Sequence, residues 1–294
     1  MDPNSTSLLV TGREHLPVPS ETLFKSSVIS ALKSIQANQL SKIVLANAID
    51  VVLPRQFKLV NSLDNLRQTY PDCYIFSTSN GKGQNFIGAS PECLVSIQNR
   101  QLVTDAIAGS APRGKTAAED ADLAHRLLCS EKERREHRFV LDFIIERLSE
   151  LGLKPQMPPT NQLLQLSNIQ HLWTPITAQL LTDIHPLEIV AQLHPTPAVA
   201  GVPTKMAQEQ ILALETFDRS LYAAPLGWVD YQGNCEFIVG IRSALIASAQ
   251  SLSDSSSTCR ARLYAGAGIV AGSDPHKELA EIQLKFQALL RALV

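Results

Sequence analysis

Residues 264–290 read YAGAGIVAGSDPHKELAEIQLKFQALL: a strand of small and apolar residues, a turn, and a long amphipathic helix. Ser273 or Asp274 can cap the helix, and Pro275 suits its first turn, where a missing N–H costs nothing. At 100° per residue Leu279, Ile282, Phe286, Leu289 and Leu290 form one apolar stripe, with Glu278, Glu281 and Lys285 along its flank. Glu281 and Lys285 also have the spacing of an exposed i,i+4 pair, so this helix alone leaves two readings open. A second helix repeats the device. In SEKERREHRFVLDFIIERLSELG (130–152), Phe139, Val140, Phe143, Ile144, Leu148 and Leu151 mark the core face, and Glu133 and Glu136 project into that sector one turn earlier. Carboxylates aimed along a core stripe are costly unless something pairs with them. Two helices each offering Glu at i and i+3 can hold a hard divalent cation, with waters completing the shell as Mg2+ prefers.

The chain has 294 residues, of which 45% are hydrophobic, enough for a sizeable core in a globular chain. We read a lead over 1–20, expected to be poorly ordered, and a single domain over 21–294. A net charge of −2 with 18% charged residues supplies no basic field for nucleic acid and no polybasic anchor for membranes. A small metabolite fits better. Five scattered cysteines, odd in number and without CxxC spacing, argue against a disulfide framework or a zinc site and are expected to be reduced and mostly buried. The opening stretch lacks signal-peptide design and no run approaches a membrane span, so a cytoplasmic setting is expected.

Along the chain, 21–40 reads as a helix with Leu23, Val28, Ala31, Leu32 and Ile35 on its apolar side. SKIVLANAIDVVL (41–53) reads as a strand with Ile43, Leu45, Ile49 and Val51 on one face and Lys42, Val44, Ala46 and Ala48 on the other. Lys42 either snorkels to water at the strand end or is a desolvated amine, the state in which a lysine becomes a base near neutrality. A short helix at 61–70 precedes strands at 73–77, 86–88, 93–98 and 101–107, read as an antiparallel meander. Within it, GASPEC places Glu92 after Pro91 at an irregular point of a buried sheet. There a carboxyl either caps backbone or, with a raised pKa, donates a proton. AIAGSAPRG (106–114) offers backbone N–H groups and the Arg113 fork to an anion. Residues 117–151 are expected to form two helical pieces meeting near Ser130, followed by a Pro-rich surface connection and a strand at 169–172 carrying His171, either structural or part of a site. LHPTPAVAGVP (193–203) is a rigid turn, 207–217 a helix, and RSLYAAPLGWVDY, CEFIVGIRSALIA and ARLYAGAGIV three further strands. In the middle one Arg242 sits mid-strand among apolar neighbours and needs an anionic partner. The polar stretch 248–258 is expected to be a flexible hairpin loop.

KIVLA, FIGASPE, DAIAGSAPRG, SEKERREHRFVLDFI, QHLWTP, LHPTPAVAGVP, YAAPLGW, IRSALI and the YAGAGIV segment with its two glutamates and lysine occur in this order. Together they resemble the chorismate-binding family, whose members make isochorismate, salicylate, anthranilate and aminodeoxychorismate; the resemblance runs from about residue 25 to the C-terminus. It implies an α+β fold of two packed, largely antiparallel β-sheets flanked by helices. It further implies Mg2+ held by Glu136 and Glu281, with Glu133 and Glu278 supporting the ion through water, and chorismate bound by Arg242 and Tyr222 with Gly109, Ser110, His171, Gly266 and Lys285 lining the same pocket. RSLYAAPLG departs from the family pattern at Ser220 and Ala224, where glycine is usual. The N-terminal part of the family fold is expected to be short or absent, which would leave sheet edges exposed.

Within this resemblance Lys42 separates the branches, because members that add ammonia lack it and members that add water use it as general base. The expected reaction is therefore isochorismate formation, with water adding at ring carbon 2 and Glu92 as the acid assisting loss of the carbon 4 hydroxyl. Salicylate synthesis, which continues from isochorismate to salicylate and pyruvate, is the alternative. An anthranilate-type subunit, disfavoured by Lys42, and a non-catalytic remnant, disfavoured by the joint presence of Lys42, Glu92 and four glutamates, are the others. No glutaminase subunit is expected, and the protein is expected to be a monomer.

Overall fold

The computed structural model describes residues 21–53, 57–181, 183–247 and 259–293. The lead over 1–20 and the polar loop at 248–258 lie outside the described residues. Among the described residues, twelve strands and seven helices follow in the order α1 (Glu21–Gln36), β1 (Lys42–Val52), α2 (Leu59–Thr69), β2 (Tyr74–Ser79), β3 (Gln84–Ser90), β4 (Cys93–Gln98), β5 (Gln101–Pro112), α3 (Ala117–Cys129), α4 (Glu131–Glu150), β6 (Gln162–Gln165), β7 (Ile169–Gln179), α5 (Pro186–Leu193), β8 (Gly201–Val202), α6 (Thr204–Leu214), β9 (Pro225–Val229), β10 (Cys235–Val239), β11 (Ser243–Ala247), β12 (Arg260–Val270) and α7 (Pro275–Ala292). The strands form two six-stranded sheets, β2-β3-β11-β12-β1-β8 and β6-β7-β5-β4-β10-β9, and every pairing is antiparallel. This is the two-sheet α+β architecture expected.

The helix ends follow from local chemistry. Asp274 caps α7 by accepting from the N–H groups of His276 and Lys277, while Ser130 ends α3 and caps α4 by accepting from Glu133 N–H. The apolar stripe of α7 packs with Phe24, Val28, Ala31 and Ile35 of α1 and with Ile43, Leu45 and Val51 of β1 in one core. On α1, Phe24 takes the buried place expected of Leu23, which is 48% exposed. The opposite face of β1, through Ala46 and Ala48, joins a second core with Val140, Ile144 and Leu148 of α4 and the inner residues of β4, β5 and β10. Period-2 alternation thus places the faces of β1 as read from the sequence.

Among the strands, three expectations fail, two of them for one reason. β2 and β3 belong to the first sheet, whereas β4 and β5 belong to the second, so 73–107 is not a single meander. Likewise 235–247 is not one strand: β10 pairs with β4 and β9, and β11 pairs with β3 and β12. The chain changes sheets at Pro91–Glu92 and again at Gly240–Arg242. These two crossings lie side by side, since Ala89 N–H donates to Arg242 O at 3.1 Å and Val239 N–H donates to Glu92 O at 3.2 Å. The third miss is β6, which lies in the segment read as a connection and pairs with β7. No helix among the described residues is long and apolar enough to cross a membrane, and no disulfide joins the cysteines, of which Cys93 and Cys235 are buried and Cys129 exposed.

Candidate active site

Where the two crossings meet, the regular ladder is interrupted and side chains of both strands turn into one cavity. Glu92, Arg242, Gly109, Ser110, Glu136, His171, Tyr222, Gly266, Glu281 and Lys285 all line it, whereas Lys42 is not in the lining and lies 3.1 Å from Glu136. Arg242 is not mid-strand as expected; it occupies the turn between sheets with φ of 50°, and its guanidinium is buried. Gly88 makes room for that turn, because a Cβ there would meet Arg242 O at 2.6 Å. Among the described residues no carboxylate forms an ion pair with the guanidinium. Nη2 instead donates to His171 Nε2 at 2.8 Å, and Nη1 is a buried donor with no partner.

His171 is the positioning partner of this arginine. Arginine can only donate, so Nε2 is the accepting nitrogen and Nδ1 carries the proton, facing Ser110 Oγ at 3.0 Å and Gly109 O at 3.3 Å. Burial, with the Arg242 and Lys285 charges, holds the imidazole well below its ordinary pKa and therefore neutral. Gly109 sits at φ of 77° where the β5 and β7 register slips by one residue. This bulge turns Ser110 N–H onto Glu133 Oε2 at 3.1 Å. Arg113 is no anion receptor, since Asp120 takes its fork at 2.8 and 2.7 Å.

Glu92 is 3% exposed. Burial first, and Asp105 second, push its carboxyl up to about 8, against the opposing charges of Lys42 and Lys285, so it is mostly protonated at neutral pH. Asp105 is itself held by Trp173 Nε1–H at 2.7 Å. The Lys42 amine is fully buried; it lies 3.1 Å from Glu136 Oε1, yet makes no hydrogen bond of good geometry. Tyr222 stacks on Tyr264 with ring centroids 5.5 Å apart, and its hydroxyl lies 2.6 Å from where a Gly266 Cβ would stand. Gly266 is therefore needed for the tyrosine to reach the cavity. Ser220 has φ of 51°, the left-handed region that suits the family's usual glycine; Ala223, rather than Ala224, is the alanine with positive φ, at 66°.

Glutamates of α4 and α7 converge as anticipated, and each has a lysine against it. Lys285 donates to Glu281 Oε1 and to Gly266 O, both at 2.7 Å. Lys132 donates to Glu133 Oε1 at 3.0 Å and Glu278 Oε1 at 2.9 Å. Burial raises Glu281, but Lys285, Lys132 and a Ser110 hydrogen bond outweigh it and hold the carboxyl below its ordinary range. Burial drives Glu278 to about 7 despite Lys132, with Glu281 adding to the rise, and raises Glu133, with Glu136 adding. Glu136 and Glu281 face the main cavity, while Glu133 and Glu278 face an adjoining cleft that shares Ser110 and Glu281 with it. Among the described residues no three His, Cys, Asp or Glu side chains form a metal cage by themselves. The donors are nevertheless all carboxylate oxygens, and in Glu133 and Glu278 burial first and a neighbouring carboxylate second raise the pKa; this suits a hard cation that takes one or two carboxylates and completes its shell with water and substrate.

Several contributors were not singled out in the sequence. Lys132 is one, although it adjoins Glu133 in SEKE. Gly268 is another: a Cβ there would collide with Glu136 Oε1. A third is the Glu215 and Arg219 pair, whose i,i+4 spacing is visible. Arg219 also donates to Val44 O at 2.8 Å and Val199 O at 2.9 Å and lies over the Tyr222 ring, tying β1 to the cavity wall.

Residues 4–294 match the family described as chorismate binding enzyme. The isochorismate synthase DhbC of Bacillus subtilis is 37% identical over 284 residues, covering 94% of this chain and 69% of that protein. The salicylate biosynthesis isochorismate synthase of Pseudomonas aeruginosa is 37% identical over 274 residues, covering 92% of this chain and 54% of that one. The solved structure of MenF, the menaquinone-specific isochorismate synthase from Escherichia coli, superposes with a TM-score of 0.82 at 32% identity, covering 97% of this chain and 63% of that chain. Motif order, fold and match agree: the chain belongs to the chorismate-binding enzyme family.

Proposed function

We propose that the protein is an isochorismate synthase, converting chorismate to isochorismate with Mg2+, and that residues 21–294 act as one chorismate-binding unit. The observation that carries this reading is a carboxylic acid kept mostly protonated at neutral pH, Glu92, on the cavity wall, together with a buried primary amine, Lys42, 3.1 Å from the cavity-lining Glu136. The reaction needs a proton taken from water and a proton given to a hydroxyl, and these are the two groups for it. Lys42 Nζ takes the proton of a water whose oxygen bonds to ring carbon 2. Both ring double bonds shift, from C1–C2 to C1–C6 and from C5–C6 to C4–C5, the bond from carbon 4 to its hydroxyl breaks, and Glu92 delivers its proton so that the hydroxyl leaves as water. One water enters and one departs, so substrate and product are isomers.

Binding falls to the remaining residues. Arg242 Nη1 is the unpaired donor for a substrate carboxylate, kept in place by His171 through Nη2. The Tyr222 hydroxyl and the Lys285 amine supply further donors on the same walls. Glu136 and Glu281 would hold Mg2+, with Glu133 and Glu278 supporting it through water, and the bound ion supplies positive charge that neutralises a chorismate carboxylate. The same reading has the enzyme acting as a cytoplasmic monomer without a glutaminase subunit, which size-exclusion chromatography of the active protein checks. The deciding experiment incubates the purified protein with chorismate, with and without Mg2+, and resolves the products. Isochorismate formed only with Mg2+ supports the proposal; salicylate with pyruvate, or no turnover by folded protein, refutes it.

A further inference from the structure

Lys132 has no part in the chemistry above, yet it occupies the gap between the two helices that carry the glutamates. It stands at the second residue of α4, with 27% of its side chain exposed in the outer cleft. Its ammonium spans from Glu133 on its own helix to Glu278 on α7, across 146 residues of sequence. The other oxygen of Glu133 is taken by Ser110 N–H, and Glu278 is further bonded by Ser273. The oxygens through which these two glutamates would support a hydrated ion are therefore already engaged by protein donors. Lys42 and Lys285 differ from Lys132 in place: each pairs with a cavity-facing glutamate, and their side chains are 1% and 19% exposed.

We infer that Lys132 is a built-in counter-cation, clamping α4 to α7 in the metal-free protein and competing with Mg2+ for Glu133 and Glu278, so that it swings into the outer cleft when the ion binds. A flexible four-carbon stem anchored at the cleft mouth can make that move, keeping its stem on protein while its head reaches water. An ammonium also places positive charge between crowded carboxylates that repel one another when the gap is empty. The role is one of positioning and depends on the metal assignment made above.

The test measures Mg2+ binding to the full chain without substrate, by titration calorimetry and by the rise of the unfolding midpoint with Mg2+ concentration. Wild type is compared with Lys132→Met, which keeps stem and helix propensity but not charge, and with Lys132→Arg, which keeps the charge. The inference expects Lys132→Met to unfold at a lower temperature without Mg2+, yet to bind the ion roughly tenfold more tightly. Lys132→Arg is expected to bind it no more tightly than wild type. A merely structural lysine, holding the carboxylates in place for the ion, gives the opposite sign: weaker binding in Lys132→Met, or no change, overturns the inference while leaving the metal site intact. Absence of Mg2+ binding in wild type as well removes the metal assignment and the inference together. If Lys132→Met fails to fold, Lys132→Gln is measured in its place against the same two signs.

Discussion

Gly268 offers a direct test of how closely the site is fitted. It lies on β12 opposite Val44 of β1. A Cβ there would collide with Glu136 Oε1, stand 2.8 Å from Glu136 Cδ and 3.2 Å from Lys42 Cε, whereas ordinary contact begins at 3.4 Å. In Gly268→Ala the obstacle is the end of a flexible side chain, so the carboxylate retreats by about 1 Å and the backbone stays. Alanine regains about 0.5–1 kcal/mol in the strand, and crowding costs about 1–3 kcal/mol, leaving a net loss of about 0–2.5 kcal/mol and a fall in Tm of at most a few degrees. Activity responds differently. The displaced Glu136 is both the neighbour of Lys42 at 3.1 Å and a candidate ligand of Mg2+. Misplacing such a group by about 1 Å costs on the order of 100-fold in rate, or about 2.7 kcal/mol of transition-state stabilisation. Chorismate turnover across a Mg2+ titration, alongside thermal unfolding, separates the two effects. A folded Gly268→Ala protein with kcat/KM within about threefold of wild type would refute the argument that the glycine exists to seat Glu136.

Glu92 should impose an alkaline limb on kcat/KM, because the acid is the active form below about 8 and is lost as pH rises through that value. Its effect on stability has the same direction: between 4.5 and about 8 the native state holds a proton that the unfolded chain has released, so stability falls as pH rises through that window. Glu92→Gln should remove both trends, and a persisting limb near pH 8 in residual turnover assigns it to another group. Lys42→Ala should abolish turnover while chorismate binding remains measurable by calorimetry; full activity removes the amine from its role as base. Glu281→Gln should lose the Mg2+ response, read from activity and from the ion's effect on Tm, and an unchanged response sinks the two-helix ion site.

Much of the site was legible along the chain because its signals are local. Helical spacing alone put Glu278 with Glu281 on the flank of one apolar stripe and Glu133 with Glu136 in the sector of another, and strand alternation put Lys42 on one face of β1 with Val44, Ala46 and Ala48. Asp274, one of the two cap candidates read beside Pro275, starts its helix by side-chain chemistry confined to one turn. These readings depend on residues within about four positions of one another, where backbone geometry fixes which side chains share a face. What only tertiary structure decided was which sheet each strand joins. A period-2 pattern looks the same on either side of a crossing, so Arg242 read as mid-strand and Glu92 as part of a meander, although both stand at the seam where the chain changes sheets. The partners of the buried charges were hidden for the same reason. Lys42 with Glu136, Lys132 with Glu278, and Arg242 with His171 are separated by 94, 146 and 71 residues, and a charge is paired across such distances only when the folded sheets and helices carry it there.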